Sequence, residues 1–375
     1  MARVLVLGAG FAGLAAAYGV RRLAGDRADV TVLCNADRYF YRPSLPEVAL
    51  GNRRPQQIVV PLEKALARKG IRFARCRVAR LAPKENIVEA DLGRLGYDYL
   101  IVALGSEIAF DEIPGAAQYG HVLCESDRIV GLREAIASFR GGDVAIALTP
   151  DNPFELVDIG FTFALDHLLR RRGIREATTI RYFTHNSLVV PHLGERGRAA
   201  ILDMFRRRNI AVHSGLRLRE VTADAVVLDG GAHFPAALTV LIPPYRGRRL
   251  VAESELADDR GYIVVDEGLR STIFENVYAA GDSVYFAGPK TGRRAVVQGK
   301  VVAHNVASHL RNRANGTKFV ERELRCIVEA GAGRAALIRS NVYWGGTAES
   351  VWLGRVPLWL KLWLEKRFLF SGGNI

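Results

Sequence analysis

Two hydrophobic regimes alternate along the chain. Residues 3–7 (RVLVL) form a short apolar run, and residues 11–20 continue as an Ala-rich stretch of helical character. An apolar run of this length, closed by glycine, predicts a buried parallel strand followed by a helix. DVTVL (29–33) predicts the next strand, residues 63–80 a helix and then a strand, and YDYLIVALGSE (97–107) a buried strand ending at Ala103-Leu104-Gly105. Residues 143–170 restart the strand–turn–helix pattern. Residues 261–284 add a strand that runs into Gly281-Asp282 and leads to a helix beginning near Arg293. Strands alternating with helices predict an α/β chain built on parallel sheets. The expected organisation is a first domain over 1–108 that resumes over 261–319, a second over 109–260, and a separate C-terminal piece over 320–375.

The turns differ between the two domains. The first strand feeds Gly8-x-Gly10-x-x-Gly13, with Phe11 and Ala12 inside the fingerprint. Gly8 allows the tight turn, Gly10 lets backbone approach a pyrophosphate, and Gly13 lets helix and strand pack closely. The helix N–H groups then face the phosphates, and FAD is the expected dinucleotide. Strand two ends at Cys34-Asn35, where an acidic ribose ligand is usual. In NVYAAGDSV (276–284), Asp282 can accept a ribityl hydroxyl, or simply cap a helix. The second domain's turn, TPDNPFEL (149–156), has no glycine and carries two prolines and two acids, which disfavours a nicotinamide nucleotide there. The predicted fold class is therefore two Rossmann-like domains of the FAD/NAD(P)-binding, glutathione-reductase-like kind, the second with a degenerate nucleotide motif, plus a C-terminal membrane-interacting segment.

The last stretch has its own pattern. All four tryptophans, Trp344, Trp352, Trp359 and Trp363, fall near the C-terminus. RVPLWLKLWLEKRFLF (355–370) is too short to span a bilayer, and its apolar residues cover most of a helical circumference. Tryptophans with long basic side chains favour the headgroup boundary, so an interfacial anchor is expected. A buried or dimer-packing helix is the alternative reading.

The net charge of +13 adds attraction to anionic lipid. No nucleic-acid motif accompanies the arginine runs at 170–172, 206–208 and 246–249. The four cysteines, Cys34, Cys76, Cys124 and Cys326, form no CxxC and no zinc-type spacing. No metal site is expected, and the cytoplasmic side is the default compartment.

The ordered set GAGFAG, FYRPSLPEVALG, LIVALGSE, AAGDS, GPKTG and LRCIVEAGAG resembles the sulfide:quinone oxidoreductases, which share a fold with flavocytochrome c sulfide dehydrogenases and type II NADH dehydrogenases. The similarity runs to about residue 370. It implies an FAD enzyme that oxidises sulfide, or a related reduced sulfur species, and reduces a membrane quinone. By this resemblance Gly8, Gly10, Gly13, Ala103, Gly105, Gly281 and Asp282 contact FAD, with Cys34, Asn35 and Val78 on its adenosine side. Pro43, Lys290 and Gly292 lie near the flavin ring. Ile327, Lys361 and Phe368 serve the quinone, with Phe368 packing on its ring. His192, in PHLGERG, matches a family histidine or is a surface loop residue. Cys124 and Cys326 match the first and third of three family cysteines, while the middle one should fall within 150–157, where there is none. The usual exchange between paired sulfurs then cannot run in its ordinary form. Cys326 alone, Cys326 with Cys124, or a different donor are the three ways out. A second membrane-facing helix of some relatives has no counterpart before residue 375. A type II NADH:quinone oxidoreductase and a non-catalytic flavin-binding partner are the competing readings, and self-association is left open.

Overall fold

The computed structural model describes residues 1–150, 156–286, 288, 290–313 and 316–374. Two five-stranded parallel sheets dominate it. In the first, the order is Val277–Ala279, Tyr99–Val102, Ala2–Leu7, Ala28–Cys34, Arg72–Arg75. In the second it is His121–Val122, Leu238–Ile242, Gly142–Leu148, Thr178–Thr184, Ala211–Ser214. In each sheet the earliest long strand lies at the centre, and a helix leaves it: Phe11–Ala24 in the first, Val157–Arg171 in the second. Continuous apolar strands such as Val4–Leu7 and Val144–Leu148 are buried on both faces, under helices on one side and a three-stranded antiparallel sheet on the other.

The predicted strand over 97–107 is broken. It pairs in the first sheet up to Val102, turns at Ala103-Leu104-Gly105, and resumes as Ser106–Ile108. That short piece pairs antiparallel with Tyr245–Gly247, so the two chain segments crossing between the sheets form one ribbon. Gly105 takes a positive φ of 74° at the break, where a side chain would be strained.

The nucleotide helix (Phe11–Ala24) packs along the long helix Gly292–His309. Small residues permit the approach: a Cβ on Gly299 would lie 2.4 Å from the Ala12 carbonyl oxygen. Gly281-Asp282 does not open that helix directly. A short turn intervenes, and the Gly281 N–H donates to Gln298 Oε1 at 2.7 Å.

The C-terminal residues form an antiparallel meander, Leu324–Gly331, Arg334–Ser340 and Glu349–Gly354, followed by the helix Arg355–Phe370. The meander packs on the crossover helix of the second sheet. A Cβ on Gly160 would stand 3.1 Å from the Glu329 nitrogen, so this glycine sets how close the strand comes. The last helix docks on the first domain instead. Tyr18 Oη donates to the Gly372 carbonyl at 2.7 Å, and Phe368 is buried among Phe11, Tyr39 and Tyr41. Among the described residues no helix is long and apolar enough to cross a membrane.

Candidate active site

A cavity of about 1390 Å³ runs from the glycine turn of the first sheet to the C-terminal meander. The glycines shape its floor. Gly8 has φ +94°, and a Cβ there would fall 2.4 Å from the Ala103 oxygen. Gly13 stands behind the wall, where a Cβ would lie 2.0 Å from the Gly8 oxygen. A Cβ on Gly10 would meet nothing within 4 Å, because that direction opens on the cavity. No side chain caps the helix that starts there, so its first N–H groups remain for an anion.

Every residue expected at the site lines this cavity except Gly13 and Phe368. At one end, past strand two, are Cys34, Asn35 and Val78. Arg38, Arg75 and Arg77 stand beside them. These arginines escaped the sequence reading, although the RFARCR run (72–77) carries the signal for Arg75 and Arg77. At the other end are Pro43, Lys290, Gly292, Cys124, Cys326, Ile327 and Lys361. Gly160, Phe161 and Val157 of the crossover helix close that end. The turn preceding that helix falls on residues 151–155, outside the described residues.

Lys290 is buried, and its ammonium donates to the Asp282 carbonyl oxygen at 3.2 Å and sits 4.1 Å from the Tyr262 ring centre. Burial pushes its pKa down to about 8. Ser283 Oγ accepts from the Gly105 N–H at 2.9 Å, tying the two loops that flank the glycine turn. The two cavity cysteines differ. Burial drives the Cys124 thiol far above the ordinary range, helped by the Glu125 carboxylate. Cys326 is pushed up to about 11 by burial, while the Lys361 ammonium pulls it back. Each thiol has a cation acting to lower its pKa, Arg42 at Cys124 and Lys361 at Cys326, but only Cys124 also has a carboxylate, Glu125, working against it. Cys124 adjoins a polar group: Tyr245 Oη donates to Glu125 Oε1 at 3.1 Å, and Arg42 pairs with Glu125 at 3.6 Å.

One expectation changes. Phe368 does not reach the cavity. It is 1% exposed, with ring centres of Tyr41 and Phe11 at 5.0 and 5.1 Å, so it wedges the last helix beneath Phe11. His192, for which a surface loop position was one of the two readings, packs its ring on Tyr343 at 4.5 Å away from the cavity lining.

The C-terminal helix resolves its all-round apolar pattern into two faces. Lys361, Glu365 and Phe368 turn inward. Glu365 is 6% exposed; Ser44 Oγ donates to it and Arg53 Nε donates at 3.3 Å. Val356, Trp359, Leu360, Trp363 and Leu364 turn outward and are exposed, at the spacing of one helical stripe.

The family model described as pyridine nucleotide-disulphide oxidoreductase matches residues 2–148 and 158–299, and so takes in both sheets. The chain belongs to that family. It is an oxidoreductase with FAD as its cofactor, and the residues fit the group: an open glycine turn, an uncapped helix start and one long cavity. Gly8, Gly10 and the N–H groups after Gly10 would hold the pyrophosphate, and Asp282 the ribityl chain. Over its whole length the chain is similar to sulfide-quinone reductase of Aquifex aeolicus, at 25% identity over 99% of this chain and 92% of that one. It is similar to the type II NADH:quinone oxidoreductase of Staphylococcus saprophyticus at 22% identity, over 100% and 96%. Among solved structures, the sulfide:quinone oxidoreductase of Aquifex aeolicus superposes with a TM-score of 0.94 at 24% identity, covering 100% of this chain and 92% of that one. NDH2 of Plasmodium falciparum, in complex with NADH, gives 0.80 at 14%, covering 99% and 97%.

Proposed function

We propose that this oxidoreductase takes two electrons from sulfide, or a related reduced sulfur species, and passes them to a membrane quinone. The observation that carries the reading is one strand. Cys326 and Ile327 stand side by side on Leu324–Gly331, on the wall of the cavity that the nucleotide turn opens. A sulfur-bearing residue and an apolar acceptor contact thus meet the same cofactor site. FAD, when bound, supplies the two-electron relay between donor and acceptor. Cys326 takes the sulfur, with Lys361 stabilising its thiolate, and Ile327 gives the quinone an apolar contact without stacking. The similarity to the Aquifex protein supports the same substrates.

The exposed stripe of the last helix fits a membrane surface. Trp359 and Trp363 are 63% and 53% exposed, and Arg367 lies 5.3 Å from the Trp363 ring centre. Tryptophan and a basic flank suit the headgroup boundary. The protein is read as peripheral, with its quinone entering from the lipid side. Four free cysteines fit the cytoplasmic face.

The test is anaerobic bleaching of the flavin by sulfide and, separately, by NADH, followed by a soluble quinone. Bleaching by sulfide with recovery on quinone is expected. Bleaching by NADH alone makes the protein a type II NADH dehydrogenase, and bleaching by neither makes it a non-catalytic flavin partner. Cys326→Ser should slow the sulfide step by roughly 100-fold or more. Trp359→Ser with Trp363→Ser should release the protein from anionic liposomes in sedimentation.

A further inference from the structure

Around Lys361 lies an ionisable cluster whose two carboxyls, Glu329 and Glu47, the electron path leaves without a role. Glu329 follows Ile327 by two residues, so both side chains project from the same face of the strand. Glu329 and Lys361 both line the cavity, and Lys361 Nζ donates to Glu329 Oε1. Each is only 15% exposed.

Glu47, on the short helix Leu45–Ala49, comes up to Glu329 from behind. Its Oε2 accepts from Asn52 Nδ2 at 3.0 Å. Its Oε1 is buried and meets no donor. The Glu47 and Glu329 carboxyls stand near enough for each to act on the other's proton. Two ionised carboxylates repel at that range away from water. The contact becomes favourable once a single proton lies between them. One shared proton also balances the charge, because the pair then carries one negative charge against the Lys361 ammonium. Burial and Glu329 hold the Glu47 proton well above the usual carboxylate range. Glu47 and the cations Lys361 and Arg53 hold Glu329 below it. Arg53 is itself engaged by Glu365, so Lys361 is the cation in direct contact with the pair.

We infer that Glu47, Glu329 and Lys361 form a proton store for the acceptor, with the proton shared by the two carboxyls reaching the quinone oxygen through the Lys361 ammonium. This rests on the reading of a quinone as acceptor. Quinone takes up two electrons and two protons to become quinol. FAD, when bound and reduced, would supply both electrons and one of the protons, which leaves one proton for the chain to provide. For the second proton, an N–H bond of Lys361 breaks as the quinol O–H forms, and a carboxyl proton of the pair restores the ammonium. Both carboxyls are then ionised. That state is unfavourable beside one ammonium, and water refills it through Glu47, which is partly exposed. Lys361 is the group that touches the acceptor; Glu47 acts through Glu329.

The experiment uses the flavin-loaded protein and two readouts. In infrared titration, a carboxylic-acid carbonyl band should persist at neutral pH and disappear in both Glu47→Gln and Glu329→Gln. In stopped flow, protein pre-reduced with dithionite is mixed with a soluble ubiquinone analogue across pH. The wild-type rate should fall on the alkaline side as the store empties. Glu47→Gln should lose that inflection and react about tenfold more slowly at neutral pH. An unchanged rate profile in both variants overturns the proposal, as does a band that survives both substitutions. Failure of quinone to reoxidise the wild type would sink the acceptor reading and the delivery role with it. The infrared band would separately show whether the carboxyls share a proton, and dithionite keeps either result independent of the sulfur donor.

Discussion

The two parallel sheets share the arrangement of a central strand, two successive strands on one side and a later strand on the other, and their central strands feed helices of similar place but different use. After Ala2–Leu7 the chain turns through glycines whose missing side chains bring backbone up to a cofactor. After Gly142–Leu148 the helix Val157–Arg171 spends its one glycine elsewhere: Gly160 admits the backbone of the strand that carries Cys326 and Glu329. The same supersecondary unit thus opens a glycine turn on the cavity in one copy and carries the strand of Cys326 and Glu329 in the other. A glycine in a crossover helix is not by itself a sign of phosphate binding; what its absent Cβ would strike decides the role.

The hardest blow to this contrast is Gly13→Val. A side chain there meets the Gly8 oxygen, so the turn cannot keep its shape, and the purified protein should be colourless and destabilised by about 3 kcal/mol. Gly160→Val should leave the flavin spectrum in place. By pushing the redox strand outward it should cost about 1–3 kcal/mol and slow bleaching by sulfide. Equal flavin loss in both variants would erase the distinction between the helices. Glu365→Ala tests how the tail is held on the first sheet. It removes the partner of Ser44 and Arg53, and thermal unfolding should report a loss of about 1–2 kcal/mol with the flavin retained.

The smallest effect is a pH dependence at the cofactor end. In flavin-free protein Lys290 loses its proton near pH 8, against 10.5 for a free lysine. Between these values the unfolded chain binds more protons, so stability attributable to this group rises with pH through that window. Melting temperatures of wild type and Lys290→Met should therefore shift in favour of the wild type on going from pH 8 to 10.5. A constant difference would mean that Lys290 is not buried as described.

Much of this was legible in the chain. The glycine fingerprint, the parallel strands and the cysteine positions are local signals, because each depends on residues a few positions apart. Glu47 and Glu329 were visible only as letters within quoted motifs. Their chemistry arises from a contact between residues far apart in sequence, and no periodicity encodes it. Phe368 was misplaced for a related reason. Spacing puts it on the inner side of a helix, but which inner neighbour it meets depends on how that helix docks, and Phe11 takes it. The two faces of the tail were hidden because the inward side holds polar residues with buried partners, while the outward side holds apolar ones.

The ribbon of Ser106–Ile108 and Tyr245–Gly247 makes one seam of the two crossings between the sheets. Two separate linkers would let the sheets twist apart like a book on loose threads. Strands bonded edge to edge act as a single stiff spine, braced where Arg248 Nε donates to the Leu104 carbonyl at 2.9 Å. Ser106 and Glu107 of this ribbon also line the cavity, so the seam that joins the sheets doubles as part of its wall.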